Sequence, residues 1–461
     1  MIAILFLLVL VGLTIVLSFT GTGPGNVLIW ESLLLVGLFC LFFGAGIYVA
    51  AALGVLGLIV GFAFSDRPFW NFLGQTVWTP SSSFVLVAVP LFLLMGEILL
   101  RAGLSERLYR ALNVWLDRLP GGLLHTNVGA SALFSAVSGS SVSTAATIAT
   151  VALPSFRRRK YDDRLVLGSI AAGASLGNLI PPGIAFIVYA SLTNTSVGQL
   201  YAAAIIPSIM MTVLFMLTII GAALVRPDLC GEREPRVPLR ERIVRLVDLS
   251  GPFIVFLIIM GSVYTGWATV TESAALSVIA ALGIAAFNRT LSIRMLHDAF
   301  VATANLTAIT MLILAVAFYL NFALGSLNIT QTLGAFVAGL GHSTTGLMWI
   351  LAVFYFLLGI FFETLPMMVG TVPIIFPIAV ATGIDPIWFG VFMVLQCELS
   401  LLSPPVGMTL YVIQAVRREG NIKDVFAGTI PFVAAMVLMT AILIHFPELA
   451  LWIPRLLFGS H

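Results

Sequence analysis

Hydrophobic runs of about 20 residues recur along nearly the whole chain, each long enough to cross the hydrocarbon core of a bilayer as a helix. IAILFLLVLVGLTIVLSF, residues 2–19, is the first of them. Backbone polar groups in lipid must be satisfied within the structure, and barrel strands would be shorter and would alternate in hydropathy, so these runs are read as helices. Composition agrees. Of 461 residues, 60% are hydrophobic and 9% charged, against about 25% charged in soluble domains. The chain reads as an all-α integral membrane protein of about 11 spans, with the lipid bilayer as its first partner. A net charge of +2 carries no nucleic-acid signature, and the few basic residues serve instead to read topology. The first run lacks a basic flank, so it is expected to be an extra N-terminal transmembrane helix (1–26) and not a cleaved signal. Cys40, Cys230 and Cys397 share no metal-like or redox-like spacing and read as small buried hydrophobes. No P-loop is present, so ATP is not the energy source.

Two double prolines interrupt the apolar pattern, LIPPG at Pro181-Pro182 and LLSPPVG at Pro404-Pro405. They stand 223 residues apart, 404 less 181, and the same shift carries Pro154 onto Pro377 and Asp162 onto Asp385. It also sets GIYVAAALGVLGL (46–58) beside TVTESAALSVIAA (269–281). A shared offset over such a distance indicates two structural repeats, here 27–225 and 251–461, joined by a polar linker at 226–250. Basic residues then set their relative direction. FRRRKYDDR (156–164) is basic and its mate AVATGIDPI (379–387) is not, whereas SLTNTSVGQ (191–199) is uncharged and its mate VRREGNIKD (416–424) is basic. By the positive-inside rule, matching loops lie on opposite faces, so the repeats are inverted, as in many secondary transporters. The linker would lie in the cytoplasm, in part as an amphipathic surface helix.

Residues 123–156 are too short for two full spans between two cytoplasmic loops, and so predict a re-entrant hairpin with its tip at Ser138–Thr144. Its inverted mate is 347–376, with a tip near FFETLPMM (361–368). The segments 165–190 and 388–413 each cross once and are broken at their double prolines, which remove backbone donors and clash with the preceding turn.

Irregular backbone at membrane depth persists where it lines a cavity or site. In the first tip Ser138, Ser140, Ser141, Ser143 and Thr144 offer oxygens, with Gly139 permitting close approach; Gly177 and Asn178 precede the first break, and Ser400 and Ser403 flank the second. Hard cations take oxygen ligands of this kind, and half-helix N-termini attract anionic groups. Close helix packing by small residues is the competing account of such clusters. Two of them placed symmetrically beside two broken helices favour a site. Substrate-facing candidates are Ser143, Thr144, Pro181, Pro182, Glu398, Pro404 and Pro405. Intramembrane Glu398 and Glu363 are costly; Glu398 is either functional or a structural carboxylate that caps a break or meets a buried donor. Glu272 in TVTESAA reads as a capping element at a helix start. The aromatic residues along the spans read as lipid-facing or interfacial, and no cofactor is implied.

The stretches GEILLRAGLSERLYRAL, SALFSAVSGSSVST, LIPPG, ATVTESAA, LGIFFET, GIDPIWFGV and CELSLLSPPVG together resemble the large membrane subunit of a tripartite ATP-independent periplasmic (TRAP) transporter, in the family's order from about Gly44 to Lys423. The resemblance implies an elevator-type, sodium-driven importer in the bacterial inner membrane. It also implies a small four-helix membrane subunit and a periplasmic substrate-binding protein as partners, and a small carboxylate as substrate. Carried onto matching positions, it implies one sodium site at Ser138, Gly139, Ser140 and Ser141 with Gly177 and Asn178. A second would lie at Glu363 and Thr364 with Ser400 and Ser403. Na+ would be the coupling ion. This chain departs from the family in having Glu363-Thr364-Leu365 where an Asp-x-Thr tip is frequent, and Gln396 where an Asn is. Two alternatives stand beside this one: a two-component sodium/divalent-anion symporter of related architecture, and a membrane-embedded hydrolase. The hydrolase would need a base near its nucleophile, and no His lies near the Ser clusters.

Overall fold

The computed structural model describes residues 37–38, 41–42, 47–64, 70–231, 237–326, 343–360, 362–405 and 407–459. The expected helix at 1–26 lies outside them, as do residues 232–236 of the linker and Phe361 of the second tip. Among the described residues there are only helices, turns and bends.

In chain order the α-helices are α1 (Val49–Phe64), α2 (Trp70–Ser81), α3 (Ala88–Arg101), α4 (Leu104–Leu116), α5 (Leu123–Ser138), α6 (Ser141–Arg159), α7 (Asp163–Ala174), α8 (Ile184–Thr193) and α9 (Val197–Val225). There follow α10 (Leu239–Arg245), α11 (Ser250–Tyr264), α12 (Val270–Phe287), α13 (Ile293–Ser326), α14 (Thr344–Gly359) and α15 (Thr364–Ala381). The last are α16 (Pro386–Leu402), α17 (Met408–Arg417), α18 (Ile422–His445) and α19 (Glu448–Phe458). The repeat reappears in where helices begin: Trp70 and Ile293, Ser141 and Thr364, and Asp163 and Pro386 are each 223 residues apart. Both hairpins form, as α5–α6 and α14–α15, and both double prolines fall in gaps between helices, α7/α8 and α16/α17.

Local chemistry explains the boundaries. Asp162 caps α7 by accepting from the Leu165 amide, and Ser196 caps α9 by accepting from the Gln199 amide. Glu272 is the capping element expected of it: Thr269 accepts from the Glu272 amide while the Glu272 carboxylate accepts from the Thr269 amide, a reciprocal box. Asn194 and Arg418 end α8 and α17 in the left-handed conformation.

Seven described helices or helix pairs are long and apolar enough to cross a membrane, among them Val197–Val225, Val270–Phe287 and Ile422–His445. The shorter apolar helices include Ile184–Thr193, Thr344–Gly359 and Pro386–Leu402. These are a hairpin limb and halves of the broken segments, which the breaks hold below spanning length. In the linker, α10 does form, but with its apolar side chains outward. Leu239, Ile243 and Val244 are exposed, while Arg242 is buried and donates from Nε to the Val237 carbonyl at 3.1 Å.

Internal packing divides the chain into two compact units that are not the two repeats. The smaller draws on Met1–Ser83, Ala308–Leu347 and Met368–Asp385; the larger on Phe84–Thr307, Met348–Met367 and Pro386–His461. Within the larger, α7 of the first repeat packs along α18 of the second. Both helices place a glycine at the contact, and a methyl group on Gly168 would overlap the Gly428 carbonyl. Backbone meets backbone there, as small residues allow between membrane helices.

Candidate functional site

The first tip is made by two residues. Gly139 closes α5 at φ 59°, a left-handed conformation that glycine adopts without strain. Ser140, extended, caps α6 by accepting from the Ser143 amide at 3.4 Å. Behind the tip Ser138 Oγ and Thr144 Oγ1 lie 3.0 Å apart, and Thr144 Oγ1 donates to the Ser140 carbonyl at 2.8 Å. The tip rests on the first broken segment. A methyl on Gly177 would overlap the Ser141 backbone, and one on Gly139 would lie 3.0 Å from the Pro182 carbonyl. Unwound carbonyls in this gap find partners, as burial demands: Ser208 Oγ donates to the Leu179 carbonyl at 2.8 Å.

The second tip repeats the plan with different side chains. α14 ends at Gly359 and α15 begins at Thr364. Ser400 Oγ shares its one proton between the Cys397 carbonyl at 2.6 Å and the Phe362 carbonyl at 3.3 Å, while Cys397 Sγ reaches the Thr364 carbonyl at 3.7 Å. A methyl on Gly359 would overlap Ser400. Thr364 Oγ1 is buried with no hydrogen-bond partner, an oxygen available to a ligand. Glu363 is exposed. In the second break Thr409 Oγ1 donates to the Leu401 carbonyl at 2.6 Å and Tyr411 Oη to the Pro405 carbonyl at 2.8 Å.

Glu398 joins the halves. Fully buried, its carboxylate accepts from Ser141 Oγ at 2.6 Å and from Asn178 Nδ2 at 2.7 Å; Asn178 Nδ2 also lies 3.1 Å from Ser141 Oγ. Three elements thus meet: the N-terminus of α6, the first break, and α16 from the other repeat. No Lys, Arg or His pairs with this carboxylate among the described residues. Of the residues named from sequence, the structure therefore assembles Ser141, Gly177, Asn178 and Glu398 at one centre and Thr364 and Ser400 at another. Ser403 stays with its own helix, donating to the Leu399 carbonyl at 2.7 Å. Pro181 and Pro182 are buried; Pro405 is exposed. Gln396 turns to α18, donating from Nε2 to Thr440 Oγ1 at 2.9 Å. Sequence reasoning missed that Glu398 belongs to the first tip, and that Cys397 and the Phe362 carbonyl belong to the second. Cys397 is indeed a small buried residue, but its sulfur also touches a tip carbonyl.

Such a centre can do two things chemically. The hydroxyl and carboxylate oxygens of Ser141 and Glu398, at short range, suit a hard cation, and the N-termini of α6 and α15, one at each tip, favour a negatively charged group.

Over residues 3–449 the sequence matches the family described as "Tripartite ATP-independent periplasmic transporter, DctM component". The chain belongs to this family. Its relatives include SiaM, the large permease protein of the sialic acid TRAP transporter of Vibrio cholerae, 30% identical over 84% of this chain and 90% of that protein. Another is DctM, the large permease protein of the C4-dicarboxylate TRAP transporter of Pseudomonas aeruginosa, 31% identical over 88% of this chain and 94% of that one. The crystal structure of the Alcanivorax borkumensis YdaH transporter shares the fold, with a TM-score of 0.61 at 15% identity over 89% of this chain and 98% of that chain. As a TRAP large permease the chain is a transporter of the bacterial inner membrane and not an enzyme, which removes the hydrolase alternative. Large permeases of this family work with a substrate-binding protein and a small permease.

Proposed function

We propose that the chain imports a small organic acid by sodium-coupled symport, moving its site across the membrane by an elevator motion. In this reading it works with a small four-helix membrane subunit and a periplasmic binding protein that delivers the acid. The observation that carries it is the centre formed by Ser141, Asn178 and Glu398. A serine hydroxyl and an asparagine amide from the first repeat meet an uncompensated carboxylate from the second there, at a hairpin tip, and the orphan Thr364 hydroxyl offers a second cation position. A carboxylate substrate would sit between the cations and the helix N-termini of the two tips. The sialic acid and C4-dicarboxylate transporters to which SiaM and DctM belong support an organic acid as the substrate class. All of these site residues lie in the larger compact unit, which is what an elevator needs of the body that carries the cargo.

Uptake of labelled acids into proteoliposomes tests the proposal. Transport is expected only with sodium, the binding protein and the small subunit together. Robust uptake by this chain alone would point to the two-component symporter instead.

The inverted arrangement has its own test. Single cysteines in the Arg157–Arg164 loop should react with an impermeant thiol reagent only from the cytoplasm. Those at 379–387 should react only from the periplasm, because equivalent loops differ so sharply in basic content. Labelling of both loops from one side would overturn the inversion.

A further inference from the structure

One turn of α16 is held by both hairpins. Successive helical residues rotate by about 100°, so Glu398 and Ser400 project to nearly opposite sides, while Cys397 and Ser400 share one. On the first side, Glu398 accepts from Ser141 at the first tip at 2.6 Å and from Asn178 in the first break at 2.7 Å. On the other, Ser400 shares its one proton between the Cys397 carbonyl of its own helix at 2.6 Å and the Phe362 carbonyl of the second tip at 3.3 Å, and Cys397 reaches the Thr364 carbonyl at 3.7 Å. Both grips are close. Gly177 lies against the Ser141 backbone and Gly359 against Ser400, with no room at either glycine for a side chain.

We infer that the 397–400 turn of α16 couples the two candidate cation sites, with Glu398 as the positioning residue, so that sodium at one tip raises affinity at the other. The inference rests on the sodium reading proposed above. Its physical basis is shared ordering. If the first tip moves away, a fully buried carboxylate loses a donor that no other described group replaces. When sodium fixes Ser141 and Asn178, Glu398 is fixed with them, and the Ser400–Phe362 contact one half-turn away is set in place. The second cation then meets a formed site and gains the ordering already accomplished. Such coupling is reciprocal and falls between about 5- and 150-fold in affinity; a value near tenfold is expected for a link made of a few hydrogen bonds.

Sodium titration of the purified full-length chain by calorimetry, with choline holding ionic strength constant, reads this directly. The wild type should bind cooperatively, with a Hill coefficient of about 1.5, the value that tenfold coupling gives for two equal sites. Glu398→Gln, which keeps the shape but can no longer accept at both positions, should bring the coefficient to about 1 and raise the half-saturating sodium concentration about threefold, the square root of the coupling lost. Glu398→Asp should restore part of both. Ser400→Ala leaves the carboxylate in place and should weaken cooperativity from the other side, which keeps the test open if Glu398→Gln folds poorly. Ser141→Ala and Thr364→Ala should be non-additive in the wild-type background and additive in Glu398→Gln. A Hill coefficient of 1 in the wild type with additive substitutions would overturn the coupling and leave the sodium reading standing. If the wild type binds no sodium at all, both fall.

Discussion

Ser141→Ala should raise the sodium concentration for half-maximal uptake by about 10- to 100-fold while leaving the melting temperature close to that of the wild type. The substitution removes one of two donors to a fully buried carboxylate. Hydrogen bonds to charged groups are worth about 1.5–3 kcal/mol, and each 1.4 kcal/mol is a tenfold change in binding. The methyl group that remains still fits against Gly177, so little packing is lost. Were Ser141 only a small residue that lets helices approach, alanine would serve as well, and the sodium response would stay at the wild-type value together with the melting temperature. Uptake against sodium concentration, measured beside a thermal melt of the same preparation, separates the two.

The second large effect is on stability. Gly168→Val should destabilise the protein by about 3 kcal/mol, at the upper end of overpacking penalties, and reduce folded yield in detergent. The relief that flexible side chains give to other overpacked sites is absent: the obstacle is the Gly428 carbonyl, and a methyl on Gly428 would in turn overlap the Arg164 carbonyl. α7 and α18 would have to separate along their length. Gly283→Ala is the control. It too lies within a helix, but nothing stands within 4 Å of the added carbon, so it should melt at or slightly above the wild-type temperature.

Much of the architecture was legible because its causes are local. A double proline ends a helix wherever it occurs, a Gly-Ser pair turns the chain, and both leave marks at fixed spacing. The offset between Pro181 and Pro404 therefore reappears between the starts of α6 and α15. Glu272 was legible for the same reason, since a capping box closes within four residues. Glu398 was not. Its burial could be read from its apolar surroundings, but its partners lie 257 and 220 residues away and depend on which face of α16 the first tip meets. The same holds for buried Arg417, which donates from Nη2 to Asp163 at 2.6 Å. Nothing in a basic loop marks one arginine as the one that joins α17 to the start of α7. The Gly168–Gly428 contact escaped notice because each glycine alone is unremarked in a membrane helix.

That contact also says what would become of a chain severed in its linker. The first fragment would hold Ser141, Asn178 and Gly168, and the second Glu398 and Gly428. Neither could assemble an ion-binding centre alone, because the carboxylate and its donors would sit on different polypeptides. Each would expose to lipid a helix whose backbone is shaped to lie against the other. Two such fragments made in one cell would be obligate companions, and the glycine seam would be the surface by which they find register.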